Sequence, residues 1–145
     1  MNLEGTWYVI ASNFPLWTKG NRTQPRFIYS NLRSVDGREC MDDTVQYVEG
    51  GRSKTIVGID TQEQPGKPSY LWRGRGLLKL FTSRWEIISV ASDEKCLALS
   101  FTKTWVTPAG VDIISRTRLL SEDAYASMIC AIGSPSLTRL KWTES

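Results

Sequence analysis

Histidine is absent from this chain of 145 residues. Because histidine is the commonest metal ligand and the commonest general base in proteins, its absence argues against zinc hydrolases and Ser-His-Asp hydrolases. The three cysteines, Cys40, Cys96 and Cys130, lack the Cys-x-x-Cys spacing typical of zinc sites. We therefore expect neither a metal nor an organic cofactor.

Long apolar runs are also lacking. No stretch approaches the roughly 18 apolar residues of a membrane span, and polar residues interrupt the first apolar run earlier than a secretory signal permits. We expect a soluble protein without an export signal, located in the cytoplasm. Disulfides are rare in that compartment, so an odd number of cysteines there indicates free thiols.

Basic residues only slightly outnumber acidic ones, with 18 against 15. A net charge of +3 does not predict a polyanionic partner. The segment WRGRG (72–76) interleaves tryptophan with arginine, a pattern that can bind nucleic acid. Few basic residues surround it, however, so we expect solvated arginines and no nucleic-acid partner.

The dominant pattern is a series of eight β-rich runs separated by turn signals. Asp36-Gly37 and Gly50-Gly51 are strong signals for tight hairpins. We expect one domain spanning 1–145, because the runs follow one another without a linker or repeat. The predicted strands are 6–12, 25–35, 40–49, 53–61, 69–74, 84–91, 96–106 and 111–119.

One helix is predicted after the eighth strand. Ser121 is a favourable N-cap, acidic residues follow it in the first turn, and Gly133 with Pro135 ends the helix. Its apolar stripe has helical spacing and consists of Tyr125, Met128, Ile129 and Ile132. The segment 136–142 could add a short closing strand.

These elements predict an all-β fold: an eight-stranded antiparallel up-and-down β-barrel with one C-terminal α-helix packed outside. A two-sheet sandwich would need long crossing connections, and the short loops disfavour it. The interior of such a barrel is either filled by side chains or holds one small ligand. We favour a cavity because the aromatic positions outnumber what the interior can stack.

The two ends of the chain carry related signals. Trp7 begins the first strand at a barrel end, where Gly5 would let the backbone pass close beneath its ring. Arg116 lies near the end of the eighth strand, which is beside the first once the barrel closes, so its guanidinium can cover the indole.

LEGTWYVIA (3–11) and IISRTRLLSEDAYASMI (113–129) resemble the first and last signatures of the lipocalins. The resemblance implies a calyx whose closed end holds the tryptophan–arginine stack, here Trp7 and Arg116 with Gly5. The family's middle signature, Thr-Asp-Tyr, is missing, and only Asp93 stands in that region. Fatty-acid-binding proteins would need a helix pair in the loop 13–25, whose two prolines and glycine make a helix unfavourable.

Two groups of residues are candidates for ligand contacts. In lipocalins the first loop covers the mouth, which implies a lid with an apolar underside of Phe14, Leu16 and Trp17; the alternative is that these residues only fasten the loop to the rim. Trp7, Val9 and Ala11 are expected to point inward by the period of two. On other strands we assign to the interior Phe27, Tyr29, Val45, Tyr47, Trp72, Trp85, Ile87 and Phe101.

Two functions follow from this barrel. The first is binding of a small hydrophobic molecule, as a lipocalin-like carrier or sequestering protein. The second is a cofactor-independent isomerase or cyclase of small-molecule biosynthesis that uses the same pocket. Asp42 and Asp43 are adjacent and face opposite sides of a strand, so they cannot form a dyad. Without histidine, the acid–base groups would come from Asp43, Glu86, Asp112, Tyr29 or Tyr47.

Overall fold

The computed structural model describes residues 1–104, 108–133 and 136–142. The chain forms consecutive antiparallel strands with short connections and alternating burial, as predicted. The elements are β1 (Gly5–Ser12), α1 (Pro15–Thr18), β2 (Arg22–Val35), β3 (Arg38–Glu49), β4 (Arg52–Gln62), β5 (Ser69–Gly74), a 3-10 turn (Gly76–Leu78), β6 (Thr82–Val90), β7 (Cys96–Phe101), β8 (Gly110–Ser115), α2 (Glu122–Ile132) and β9 (Thr138–Arg139).

The sheet is a closed up-and-down barrel. Strands β2 to β8 pair in chain order, β8 pairs with β1, and β1 pairs with β2 to close the ring. The first half of β1 pairs with β2, and its last residues pair with the short strand β9. The predicted eight-stranded barrel with a C-terminal helix is therefore confirmed, with β9 as an addition.

Tight turns fix the register of the hairpins. At the β2–β3 turn, Asp36 and Gly37 have φ of 52° and 78°. Two consecutive positive φ angles belong to the type I′ turn, whose twist matches that of the flanking strands. This turn keeps β2 and β3 adjacent, as an up-and-down arrangement requires.

Two apolar clusters lie on opposite sides of the sheet. The larger cluster lies inside the barrel and includes Trp7, Val9 and Trp85. The smaller lies outside, where Met128 of α2 packs over the sheet. A register shift between Val9 and Ala11 in the β1–β8 pairing reverses the alternation. Ala11 therefore belongs to the outer cluster and not to the interior, which corrects the prediction from strict period two.

The C-terminal helix follows its sequence signals. The Ser121 hydroxyl accepts a hydrogen bond from the backbone N–H of Ala124 at 3.1 Å, and Gly133 is the C-cap. Only one side of a surface helix needs to be apolar, and Met128 is its buried residue. The predicted Pro135 stop lies outside the described residues, as do positions 105 and 106 of the predicted seventh strand and Thr107 of the turn that follows it.

The first loop and the cysteines add local detail to the predicted fold. The loop 13–25 contains one helical turn, α1, in which Pro15 occupies a first-turn position where its missing N–H costs nothing. All three cysteines are free as expected, but Cys130 is exposed. No helix in the described ranges is long and apolar enough to cross a membrane.

Candidate functional site

The closed end of the barrel is built around Trp7. Its ring is fully buried, and its Nε1 donates to the carbonyl oxygen of Leu3 at 2.9 Å. The guanidinium carbon of Arg116 lies 3.8 Å from the ring centroid, and Arg116 Nη2 donates to the carbonyl oxygen of Asn2 at 3.0 Å. Trp7 Nε1 and Arg116 Nη2 thus both have backbone acceptors, and the stack joins the two ends of the barrel sequence as predicted.

Gly5 has a different role from the expected one. Its φ is +112°, and a Cβ at this position would lie 2.8 Å from Arg116 Nη1. The missing side chain therefore makes room for the guanidinium that covers Trp7, and not for a backbone segment beneath the ring.

Above this end the barrel holds a cavity of about 730 Å³. Its walls are mainly apolar and aromatic, and polar side chains are concentrated at a few points, as is usual for ligand sites. Its aromatic lining residues are Phe14, Trp17, Phe27, Tyr29, Trp72, Phe81, Trp85 and Phe101.

The first loop closes over part of the cavity mouth. Phe14 packs edge-on against Phe101 with ring centroids 5.3 Å apart, and the ring centroids of Trp17 and Tyr47 are 5.5 Å apart. Both loop residues are buried, and with Leu16 they line the cavity. The loop therefore has the apolar underside that was predicted for a lid, and the same contacts also fasten it to the rim.

The β5–β6 connection forms another part of the mouth. Leu80 and Phe81 line the cavity while remaining 85% and 47% exposed. Arg84 and Lys103 also line the cavity on this side, and Arg84 is paired with Glu63 at 2.9 Å. The cationic side chains of the cavity thus stand at its rim.

Deeper in the barrel, two carboxyl groups on neighbouring strands face each other. Asp43 and Asp60 are buried, and Trp85 Nε1 donates to Asp60 Oδ1 at 3.0 Å. Desolvation raises the pKa of Asp60 well above its usual value, and the nearby Asp43 carboxylate raises it further. Asp60 therefore keeps its proton and donates to Asp43, whose pKa burial raises to about 6. The two carboxyl groups therefore titrate as a pair.

A third buried carboxyl group, Asp112, lies on β8 next to the lid. Burial raises its pKa to about 7, and a hydrogen bond from the Ser12 hydroxyl partly opposes that shift. The Ser12 hydroxyl also accepts from the backbone N–H of Phe14 at 2.9 Å. A hydrogen-bond chain therefore joins the first residue of the lid turn to a carboxyl group in the cavity wall.

These carboxyl groups lack cationic partners. Within residues 1–104, 108–133 and 136–142, the ion pairs involve other acidic residues. Among the described residues, Oδ1 of Asp43, Oδ2 of Asp60 and Oδ1 of Asp112 are buried without an N–H or hydroxyl donor, and Nε1 of Trp72 is buried without an acceptor. Asp43 and Asp60 share a proton with each other, whereas Oδ1 of Asp112 is unpaired. Most buried polar atoms in proteins are paired, so unpaired ones around a cavity indicate where a ligand group would bind. The described residues contain no cluster suited to a metal ion.

Most of the predicted interior residues lie where the sequence placed them. Asp43, Asp112 and the aromatic residues Phe27, Tyr29, Trp72, Trp85 and Phe101 line the cavity together with Val45. Val45 and Ile87 pack against the inner cluster, and Tyr47 is buried in it. Tyr47 does not border the cavity, however, because Trp17 of the lid lies against its ring.

Glu86 is the candidate that the structure removes from the interior. It is exposed, because Trp85 and Ile87 point inward and alternation turns the residue between them outward. Asp42 faces away from Asp43, as predicted, and pairs with Arg33 and Arg75 at 3.4 and 3.3 Å. Arg73 and Arg75 of the WRGRG segment are exposed.

Asp60 is the site residue that the sequence analysis missed. The Gly50-Gly51 turn pairs Glu49 with Arg52, which places Asp43 opposite Gly58 and Met41 opposite Asp60. Asp60 is therefore a diagonal, same-face neighbour of Asp43, within side-chain reach. The register of this hairpin was a signal that could have identified the pair.

No family model matches the chain, and no curated protein matches it. Among solved structures, the fold is similar to that of the siderocalin Ex-FABP, described as functioning through dual ligand specificities. The TM-score is 0.63 and the identity 13%, over 86% of this chain and 80% of that chain. The chain has a lipocalin-like fold. At this identity the likeness concerns the fold alone.

Proposed function

We propose that this protein binds a small, mainly apolar molecule inside the barrel. The observation that carries the proposal is the cavity of about 730 Å³, lined by aromatic side chains and covered in part by the first loop. Burial of apolar ligand surface against such walls contributes about 25 cal/mol per Å² before the costs of association. The lipocalin-like fold is consistent with this role.

The test is native mass spectrometry after exposure to a lipid and polyketide extract, repeated with a blocked cavity. Val45 lines the cavity, so Val45→Trp should fill space that the ligand needs. Val90 is exposed on β6, so Val90→Trp is a matched control outside the barrel. We expect an adduct on the wild type and on the control, and at least a tenfold loss on Val45→Trp. No adduct on the wild type, or equal adducts on all three proteins, would refute the proposal.

A second candidate function is catalysis of an isomerisation or cyclisation without a cofactor. The specific observation in its favour is that Asp43 and Asp112 line the cavity without a basic partner among the described residues. Their pKa values of about 6 and about 7 lie close to neutral pH, where a carboxyl group can both accept and donate a proton.

The same extract distinguishes the two functions. An isomerase or cyclase would change the chromatographic retention of a compound without changing its mass, and Asp112→Asn or Asp43→Asn would abolish the change. A binding protein would return the retained compound unchanged. Recovery of only unchanged compounds, together with a retained adduct, would favour binding alone.

A further inference from the structure

We propose that the ligand carries a protonated nitrogen, and that its ammonium group binds at the buried carboxyl groups of Asp43 and Asp112 in the cavity wall. This inference rests on the proposed binding function and adds the chemical class of the ligand. It describes an amphipathic amine whose apolar body fills the aromatic cavity.

The first argument is the kind of polar atom that the cavity offers. Both carboxyl groups are at least nine-tenths buried. Oδ1 of Asp112 has no donor among the described residues, and Oδ1 of Asp43 has none there except the proton that Asp43 shares with Asp60. Leaving such atoms unpaired costs the full desolvation of a polar group, and more when the group is charged. An ammonium group supplies up to three N–H donors and a compensating charge.

The second argument is the position of the two carboxyl groups. Asp43 lies directly across the sheet from Tyr29, and Asp112 also lies close enough to Tyr29 for its charge to act on the phenol. Both carboxyl groups border the same cavity. A cation in the space beside the Tyr29 phenol would therefore be attracted by both carboxylates, and the aromatic faces of the wall also attract cations.

The third argument concerns the groups that surround this space. Asp43 faces the protonated Asp60 of β4, and Tyr70 of β5 lies near Asp60 with its hydroxyl directed to Glu39 at 2.9 Å. Ser12 of β1 donates to Asp112. The nearest cationic lining residues, Arg84 and Lys103, stand at the mouth. The inner cavity is thus anionic in its described part, and a bound cation would balance it.

The pH dependence of binding follows from these groups. Burial raises the pKa of Asp43 to about 6 and that of Asp112 to about 7, so both groups lose protons between pH 5.5 and 8. A bound ammonium favours the ionised carboxylates and so releases protons on binding. A neutral ligand that accepts a hydrogen bond from a protonated carboxyl group would show the opposite trend.

The experiment uses two compounds of the same size, 2-(2-naphthyl)ethylamine and 2-(2-naphthyl)ethanol, titrated calorimetrically into the full chain. At pH 8 we expect the amine to bind at least tenfold more tightly than the alcohol, and at pH 5.5 we expect less than a threefold preference. Titrations at pH 6.5 in phosphate and in ACES, which both buffer at this pH and differ in ionisation enthalpy, should show net proton release for the amine and none for the alcohol.

Single variants then test which carboxyl group causes the preference for the amine. Asp112→Asn and Asp43→Asn keep the side-chain shape, and at least one should reduce the preference for the amine fivefold or more while the alcohol binds as before. Glu86→Gln removes the same charge on the outer face and should change neither affinity. Equal binding of the two compounds at pH 8, or a preference unchanged in both Asp variants, would overturn the inference. Binding of neither compound, with no adduct in the extract experiment, would instead refute the proposed function.

Discussion

The two ends of the barrel interior solve the problem of buried polar groups in opposite ways. At the closed end, the Trp7 indole and the Arg116 guanidinium both donate to backbone carbonyl oxygens, and the ring and cation stack directly. In the cavity, Asp43 and Asp112 leave carboxyl oxygens unpaired beside open space. The closed end thus pairs its buried indole and its guanidinium with backbone acceptors, whereas the cavity leaves buried carboxyl oxygens without such partners.

This difference distinguishes residues that stabilise the fold from residues that would bind a ligand. A packed and paired cluster stabilises the fold, whereas unpaired buried carboxyl groups destabilise it unless a ligand binds. Sites that act on ligands often retain such unfavourable groups. The comparison predicts that substitutions at the closed end lower the free energy of unfolding and that suitable substitutions in the cavity raise it.

The largest loss is expected for Trp7→Ala. The side chain is fully buried in a packed cluster, so its removal should lower the free energy of unfolding by about 3–5 kcal/mol. Phe101→Ala is the cavity counterpart, and because that ring already borders open space its loss should be at least about 1 kcal/mol smaller. Urea denaturation of both variants measures the difference. Equal losses would contradict the expected difference between the closed end and the cavity.

A gain in stability is expected for Asp112→Asn at high pH. The carboxyl pKa is raised from 3.8 to about 7 in the folded protein, so the folded state binds its proton more tightly than the unfolded state does. Wild-type stability therefore falls as the pH rises from about 4 to about 7, and asparagine removes this dependence. At pH 8 the variant should be more stable by about 2–4 kcal/mol.

Urea titrations at pH 5 and pH 8 check this prediction, with Glu86→Gln as the control for removal of an exposed charge. The stability of Asp112→Asn should change less between the two pH values than that of the wild type or the control. Parallel pH profiles for all three proteins would show that Asp112 is not desolvated in the folded state.

The sequence determined the barrel because local rules agreed with each other. Asp36-Gly37 adopts the turn its residues favour, and Ser121 caps the helix it precedes. Trp7 and Arg116 meet because barrel closure brings the first and eighth strands together. These features depend on residues close in sequence or on topology, and both can be inferred without coordinates. The single-domain organisation and the cytoplasmic location stay predictions.

The site was only partly predictable because side-chain direction depends on details of pairing. A bulge beside Ile10 turns Ser12 instead of Ala11 towards Asp112, and no sequence signal marks it. Glu86 could have been rejected by alternation with Trp85. Asp60 could have been found from the register of the Gly50-Gly51 hairpin. The size of the cavity depends on how all the strands pack, which strand patterns do not give.

A smaller loss is expected for Gly5→Ala, which tests how the closed end is built. The new Cβ would strain a residue with φ of +112° and would approach Arg116 Nη1 to 2.8 Å. We expect a loss of about 1–3 kcal/mol. Part of the loss arises from displacing Arg116, so the double variant Gly5→Ala/Arg116→Ala should lose less than the sum of the single variants. Additive losses would show that backbone strain alone is responsible.

The smallest effect is expected for Ser12→Ala, which lies where the lid meets the cavity. The hydroxyl accepts from the Phe14 backbone N–H and lowers the pKa of Asp112, so its loss should cost about 0.5–1.5 kcal/mol. The Asp112 pKa should rise further above about 7, which carboxyl 13C NMR can follow in a pH titration. Ser115→Ala is the control, because that buried hydroxyl pairs with Thr117 instead. An unchanged Asp112 titration in Ser12→Ala would mean that the lid and the cavity carboxyl group are not coupled through this serine.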